Sequence, residues 1–163
     1  MAFAESIDAS AGVRPDYLEM LQRVERLHRQ LLDVVKDELD RTGITDLTSV
    51  QALLIFNIGD TVLTAGELRT RGHYLGSNVS YNLKKLVDLG YIAQERSEDD
   101  RRTVQISLTE AGLAVRDRLE HLFARQSEAL EPSGGLTEEH MAATNTALTR
   151  IERFWTDHIR FRL

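Results

Sequence analysis

The stretch from Thr64 to Thr109, TAGELRTRGHYLGSNVSYNLKKLVDLGYIAQERSEDDRRTVQISLT, constrains the fold more than any other part of the chain. Thr64 with Glu67 forms a capping box, and Leu63 and Leu68 stand at hydrophobic-staple positions. A short helix therefore starts at Thr64 and ends near Arg71-Gly72, and residues 73–76 read as a turn. A second helix follows over residues 77–89, with Gly90 as its stop. On a helical wheel Val79, Leu83, Leu86, Val87 and Gly90 fall together. Ser77, Asn78, Tyr81, Lys84, Lys85 and Asp88 fall opposite, with Ser80 and Asn82 on the flanks. Residues 91–96 and 103–108 are strand-like, the second alternating cleanly with Val104, Ile106 and Leu108 on one side. Ser97, Glu98, Asp99 and Asp100 join them, and Arg101-Arg102 follows. Helix, turn, helix and hairpin is the order that sets one helix in a DNA major groove and a basic loop on the adjacent backbone or minor groove.

The flanks are helical. Leu18, Leu21, Val24, Leu27, Leu31, Val34 or Val35, and Leu39 recur at three- and four-residue steps, so a long helix is expected over 16–42 with Gly43 as a left-handed cap. A second helix over 48–58 has Thr48 and Gln51 as a capping box and Val50, Leu53, Leu54 and Ile58 as its expected buried stripe. Gly59-Asp60 ends it, and Thr61 to Leu63 is long enough only for a very short strand. After the hairpin, a helix over 109–130 carries Leu113, Leu119, Leu122 and Phe123, and Pro132 to Gly135 is expected to break the chain. A last helix from Thr137 has Leu136 and Met141 as a staple and Leu148, Ile151, Phe154, Trp155 and Ile159 as its stripe.

Charge is uneven. The net charge is −6, which argues against DNA binding if taken whole. Residues 64–102 hold seven Lys/Arg and six Asp/Glu, whereas the remainder holds thirteen and twenty. The acidity lies outside the proposed reading head, where it would repel DNA from the wrong faces. With no cysteine, thiolate zinc sites, disulfides and thiol redox switches are excluded. The five histidines, His28, His73, His121, His140 and His158, make no metal-binding pair, and no nucleophile-elbow or phosphate-loop sequence occurs. No enzyme activity and no cofactor are expected. No apolar run approaches the roughly 18 residues of a membrane span. The first residues lack the pattern of a signal peptide, so a flexible tail over 1–15 and a cytoplasmic location are the expectations.

Ser77, Asn78, Ser80, Tyr81 and Asn82 are candidates to reach base edges, and Lys84 and Lys85 to reach phosphates. Taken alone, such a helix face also reads as merely solvated, and the basic hairpin is what favours DNA. Arg101 and Arg102 are candidates for the minor groove, although either also reads as an ion-pair partner of Asp99 or Asp100.

Residues 79–92, the run Asp99-Asp100-Arg101-Arg102 and residues 104–112 together resemble the winged helix of the MarR family. The shared pattern is V-S-x-x-L-x-x-L-x-x-x-G-Y-I, then D-x-R-R, then V-x-I-S-L-T-x-x-G, and the flanking helices extend the likeness over nearly the whole chain. The strings LLDVVKDE, SVQALL and GSNVSYNLKKL are similar to the LdtR-like branch, which implies control of cell-wall or stress genes. The resemblance implies a fold that is mainly α with a small β-hairpin wing: a dimerisation helix over 16–47, a winged helix–turn–helix over 48–108 and C-terminal dimerisation helices over 109–163. It implies a homodimer on near-palindromic double-stranded operator DNA, no membrane partner, and a small aromatic or anionic effector. By position, His28, Thr48, Gln51, Phe56, Arg71 and Tyr74 are the pocket candidates, though Phe56 also reads as core, Thr48 as only a cap and His28 as a surface or dimer contact. Tyr81 stands where many relatives carry arginine, and Gly72-His73-Tyr74 replaces the usual Leu-Gly-Leu turn. The competing reading is a winged-helix module for protein contact.

Overall fold

The computed structural model describes residues 12–72, 76–97 and 102–161. In chain order it has α1 (Pro15–Arg41), α2 (Ser49–Ile58), β1 (Leu63–Thr64), α3 (Ala65–Gly72), α4 (Gly76–Asp88), β2 (Ile92–Arg96), β3 (Val104–Leu108), α5 (Glu110–Gly134) and α6 (Glu138–Phe161). The chain is mainly α with a small antiparallel sheet, as expected. The short segment after α2 becomes a third strand, and the sheet order is β1-β3-β2. The chain divides after Leu119 into two compact units. Among the described residues no helix is long and apolar enough to cross a membrane.

Local chemistry sets the helix ends. Pro15 opens α1, where its missing N–H costs nothing. Gly43 closes it at φ +75°. There the Gly43 N–H donates to the Asp40 carbonyl (3.1 Å) and the Ile44 N–H to that of Leu39 (2.9 Å), which is a Schellman closure. Near that end the buried Glu38 carboxylate accepts from Arg41 Nη2 at 2.7 Å. At α2 the capping box forms: Gln51 N–H donates to Thr48 Oγ1 (3.2 Å), and Thr48 N–H to Gln51 Oε1 (3.1 Å). Replacing Thr48 by alanine is expected to cost about 1 kcal/mol of stability, read as a lower urea midpoint at unchanged slope.

The expected stripe of α2 needs correction. Val50 is 44% exposed, while Gln51, Ala52, Leu54, Ile55 and Ile58 are buried. Positions 51, 54, 55 and 58 share the inward face, and Val50 shares the outer one with Asn57. An almost wholly apolar helix offers several stripes of equal appearance, so its periodicity does not choose among them.

The second capping box also forms at α3. Thr64 N–H donates to Glu67 Oε2 (2.7 Å), and Glu67 N–H to Thr64 Oγ1 (3.1 Å). These bonds favour the charged form and hold the Glu67 carboxyl below its ordinary range. Leu63 and Leu68, the staple pair, are both buried. Around them lie Leu54, Ile55, Ile58, Val79, Leu83, Leu86, Ile92 and Ile106, the core under the helix–turn–helix. β1 pairs with β3 at Leu63 and Ile106, and β2 pairs with β3 from Ile92 and Leu108 to Arg96 and Val104. Of the alternating residues of β3, only Ile106 is fully buried. Val104 is exposed, and so is Arg96, its partner across the β2–β3 pair.

Two expectations about α5 also change. Leu113 is exposed, and Val115, Leu119 and Leu122 carry the buried face. The helix does not break at Pro132 but continues to Gly134. A proline this close to a helix end removes one bond, to the carbonyl four residues back, and the turn survives it. The closing bonds run from Gly135 N–H to Glu131 (3.0 Å) and from Leu136 N–H to Leu130 (3.2 Å), one residue wider than at Gly43. Gly135, at φ +66°, then turns the chain toward α6. At the start of α6, His140 takes the glutamate's place in a capping pair: Thr137 N–H donates to His140 Nδ1 (3.2 Å), and His140 N–H to Thr137 Oγ1 (3.3 Å). No described residue of α6 is buried.

Candidate nucleic-acid interface

The second helix of the helix–turn–helix, α4, has two unlike faces. Val79, Leu83 and Leu86 are buried, so the helix is seated on the core along one stripe. Asn78, Ser80, Tyr81, Lys84, Lys85 and Asp88 are exposed, and Tyr81 is 70% exposed. A large phenol ring left in water on a helix anchored opposite presents both an apolar face and a polar tip to a partner. Ser77 lies in the first turn of α4, and its side chain falls outside the described residues. Of the wing pair, Arg102 is exposed; Arg101 lies outside the described residues, as do Asp99 and Asp100. Arg69 and Arg71, exposed in the last turn of α3, add two cations to the same helix–turn–helix.

Asn82 is unlike its neighbours. It is half-buried, its Nδ2 donates to the Asn78 carbonyl (2.9 Å), and its Oδ1 accepts from Gln51 Nε2 (3.3 Å). The other end of the Gln51 amide is the capping-box acceptor for Thr48 N–H. Ser49 Oγ, one residue into α2, donates to the Leu32 carbonyl of α1 at 2.7 Å. Periodicity identified Gln51 as a cap and carried no sign of its second bond.

Tyr91 is another residue the sequence reading passed over. Its N–H donates to the Leu86 carbonyl (2.9 Å), and with Gly90 at φ +82° it closes α4. Its hydroxyl donates to Asp46 Oδ1 at 2.9 Å, tying the end of α4 to the link between α1 and α2. Burial, then the bond to Asp46 and its charge, push the Tyr91 hydroxyl pKa up.

The effector candidates are dispersed in their surroundings. Thr48 and Gln51 bond each other. His28 on α1 and Arg71 on α3 are exposed, Phe56 on α2 is half-buried, and Tyr74 lies outside the described residues.

A three-helix core with a hairpin packed beside an exposed second helix defines a winged helix–turn–helix. A sequence profile of the MarR family matches residues 45–103. The exopolysaccharide II synthesis transcriptional activator ExpG of Rhizobium meliloti is 33% identical over 145 residues, spanning 89% of this chain and 74% of that protein. The fold is similar to that of FabT from Streptococcus pneumoniae in complex with DNA, with TM-score 0.67, 24% identity, and 86% of this chain and 98% of that one covered. It is also similar to a MarR variant from E. coli complexed with operator DNA, with TM-score 0.68, 19% identity, and 83% and 95% covered. The chain belongs to the MarR family: it is a transcriptional regulator and not an enzyme.

Proposed function

We propose that two copies of this chain bind near-palindromic operator DNA, each placing α4 in a major groove. The observation that carries this is Tyr81, 70% exposed amid Asn78, Ser80, Lys84 and Lys85 on a helix whose other face is buried. Ser77, Asn78, Ser80 and Tyr81 take the base-edge and first-turn phosphate positions, and Lys84 and Lys85 the backbone. Arg101 and Arg102 extend the contact to the neighbouring backbone or minor groove. The two half-sites then lie about one helical turn, roughly 34 Å, apart. That the FabT and E. coli MarR structures hold DNA supports this placement. A small aromatic or anionic effector acts near His28, Thr48, Gln51, Phe56, Arg71 and Tyr74. The LdtR-like strings favour cell-wall or stress genes as targets, and the likeness to ExpG is compatible with control of envelope polymers.

The test is selection of duplexes from a random-sequence pool, followed by titration of the selected duplex at several salt concentrations. Affinity is expected to fall steeply with salt as phosphate counterions are released. Lys84→Ala is expected to weaken binding on all duplexes alike and to reduce the slope of log affinity against log salt by about 1. Absence of any salt slope on duplex DNA, with no sequence selected, would move the winged helix to the protein-contact reading.

A further inference from the structure

We infer that Gln51 is a positioning residue for α4, holding that helix at one rotational setting through Asn82. The inference rests on the DNA-reading function proposed above. Along its length the seat of α4 is otherwise apolar: Val79, Leu83 and Leu86 meet the core without directional bonds, and the bond from Tyr91 to Asp46 holds only the chain just past its C-terminal end. Apolar packing resists separation more than it resists small rotations, because the hydrophobic effect carries no direction. A hydrogen bond does carry one and weakens steeply off its axis. Among the hydrogen bonds described here, the one from Gln51 Nε2 to Asn82 Oδ1 joins α2 to the polar flank of α4.

The anchor at the α2 end is firm. Gln51 is 5% exposed, its Oε1 is bound to the Thr48 N–H, and the neighbouring Ser49 hydroxyl ties the same turn to Leu32 of α1. At the α4 end, Asn82 passes the constraint to its own helix through the Asn78 carbonyl. The bonds form one chain from the middle of α1 through the start of α2 to the reading helix. A turn of about 10° about the axis moves a group about 6 Å out by about 1 Å. That is enough to spoil a base-edge hydrogen bond. Gln51 therefore governs which bases Asn78 and Tyr81 meet, without meeting any itself. Asn82, with both ends of its amide engaged, serves this strut and does not read a base.

Gln51→Glu isolates the effect. A glutamate keeps the capping-box acceptor for Thr48 and has no donor for Asn82. With duplexes selected from a random pool by the parent protein, Gln51→Glu is expected to lower the ratio of selected to scrambled affinity about tenfold. The salt slope stays near the parent value; the thermal midpoint falls because a nearly buried carboxylate replaces a neutral amide, so selectivity is compared at a temperature where both proteins are folded. Asn82→Ala, at a half-buried site that tolerates truncation, is expected to relax preference at several base positions together, and the double variant to be no worse than either single one. Unchanged selectivity in Gln51→Glu overturns the inference. So does a loss in Asn82→Ala confined to one base position, or losses that add fully in the double variant. If the parent itself selects no sequence, the DNA-reading function falls and takes this inference with it. If the parent selects and the variants match it, only the strut falls.

Discussion

Gly112→Ala is expected to destabilise the protein by about 3 kcal/mol, although it adds a better helix former inside a helix. Gly112 sits in the first turn of α5. A Cβ built there stands 2.2 Å from the Tyr91 carbonyl oxygen and 3.2 Å from Leu108 Cβ. The first neighbour is backbone and is already engaged, since it accepts from Thr109 N–H at 3.1 Å. Thr109 is fixed again by donating its hydroxyl to the Gly90 carbonyl at 2.6 Å, and Gly112 N–H caps onto that hydroxyl at 3.2 Å. Relief of the overlap thus requires the start of α5 to lift from the turn that ends α4, breaking bonds as it goes. Helix propensity alone gives the opposite sign, about 1 kcal/mol in favour of alanine. The two forces can be separated by urea unfolding. Gly134, at the far end of α5 with nothing within 4 Å of a built Cβ, is the control, and Gly134→Ala is expected to be neutral or slightly stabilising. A Gly112→Ala protein as stable as its parent would remove the contact from the account.

That same glycine shows what a sequence of this kind discloses. The T-x-x-G spacing at Thr109 and Gly112 was visible as part of a family pattern, while the reason for it was not. It lies in the carbonyls of Gly90 and Tyr91, far earlier in the chain and brought close only by the return of β2 and β3. Features closed within a few residues were legible: the capping boxes at Thr48 and Thr64, the glycine stops at Gly43 and Gly90, and the buried stripe of Val79, Leu83 and Leu86. Each depends on bonds or periods spanning three to seven residues, which the sequence displays directly. Features needing a second element were not. The outward turn of Val50, the bond from Gln51 to Asn82 and the anchor from Tyr91 to Asp46 depend on how helices face one another. Pro132 misled for a different reason: proline breaks a helix interior, and near the last turn the missing bond matters little.

Glutamates at Phe154 and Ile159 are expected to abolish the proposed pairing of two copies and to weaken operator binding about a hundredfold or more. α6 is a long amphipathic helix without a buried residue, and its Phe154 and Ile159 are 60% and 77% exposed. Leu148 and Phe161 on the same helix are also exposed, as are Leu27 and Leu31 on α1. Apolar side chains left exposed along α6 fit a second copy better than water. Each such side chain is worth about 1.5–3 kcal/mol when covered. In a two-fold pair every substitution counts twice, so two positions remove four anchors and about 6 kcal/mol or more, roughly ten-thousandfold in dimer dissociation. Loss of the pairing separates the two reading helices, and each half-site must then be bound without the gain from linkage. Because these side chains are exposed in the single chain, their change leaves the winged-helix core intact, and far-UV circular dichroism of the variant should match the parent in helix content. Sedimentation across a concentration series reads the assembly directly. A double-glutamate variant that still sediments as a dimer would place the partner surface elsewhere and leave the apolar face of α6 without its occupant.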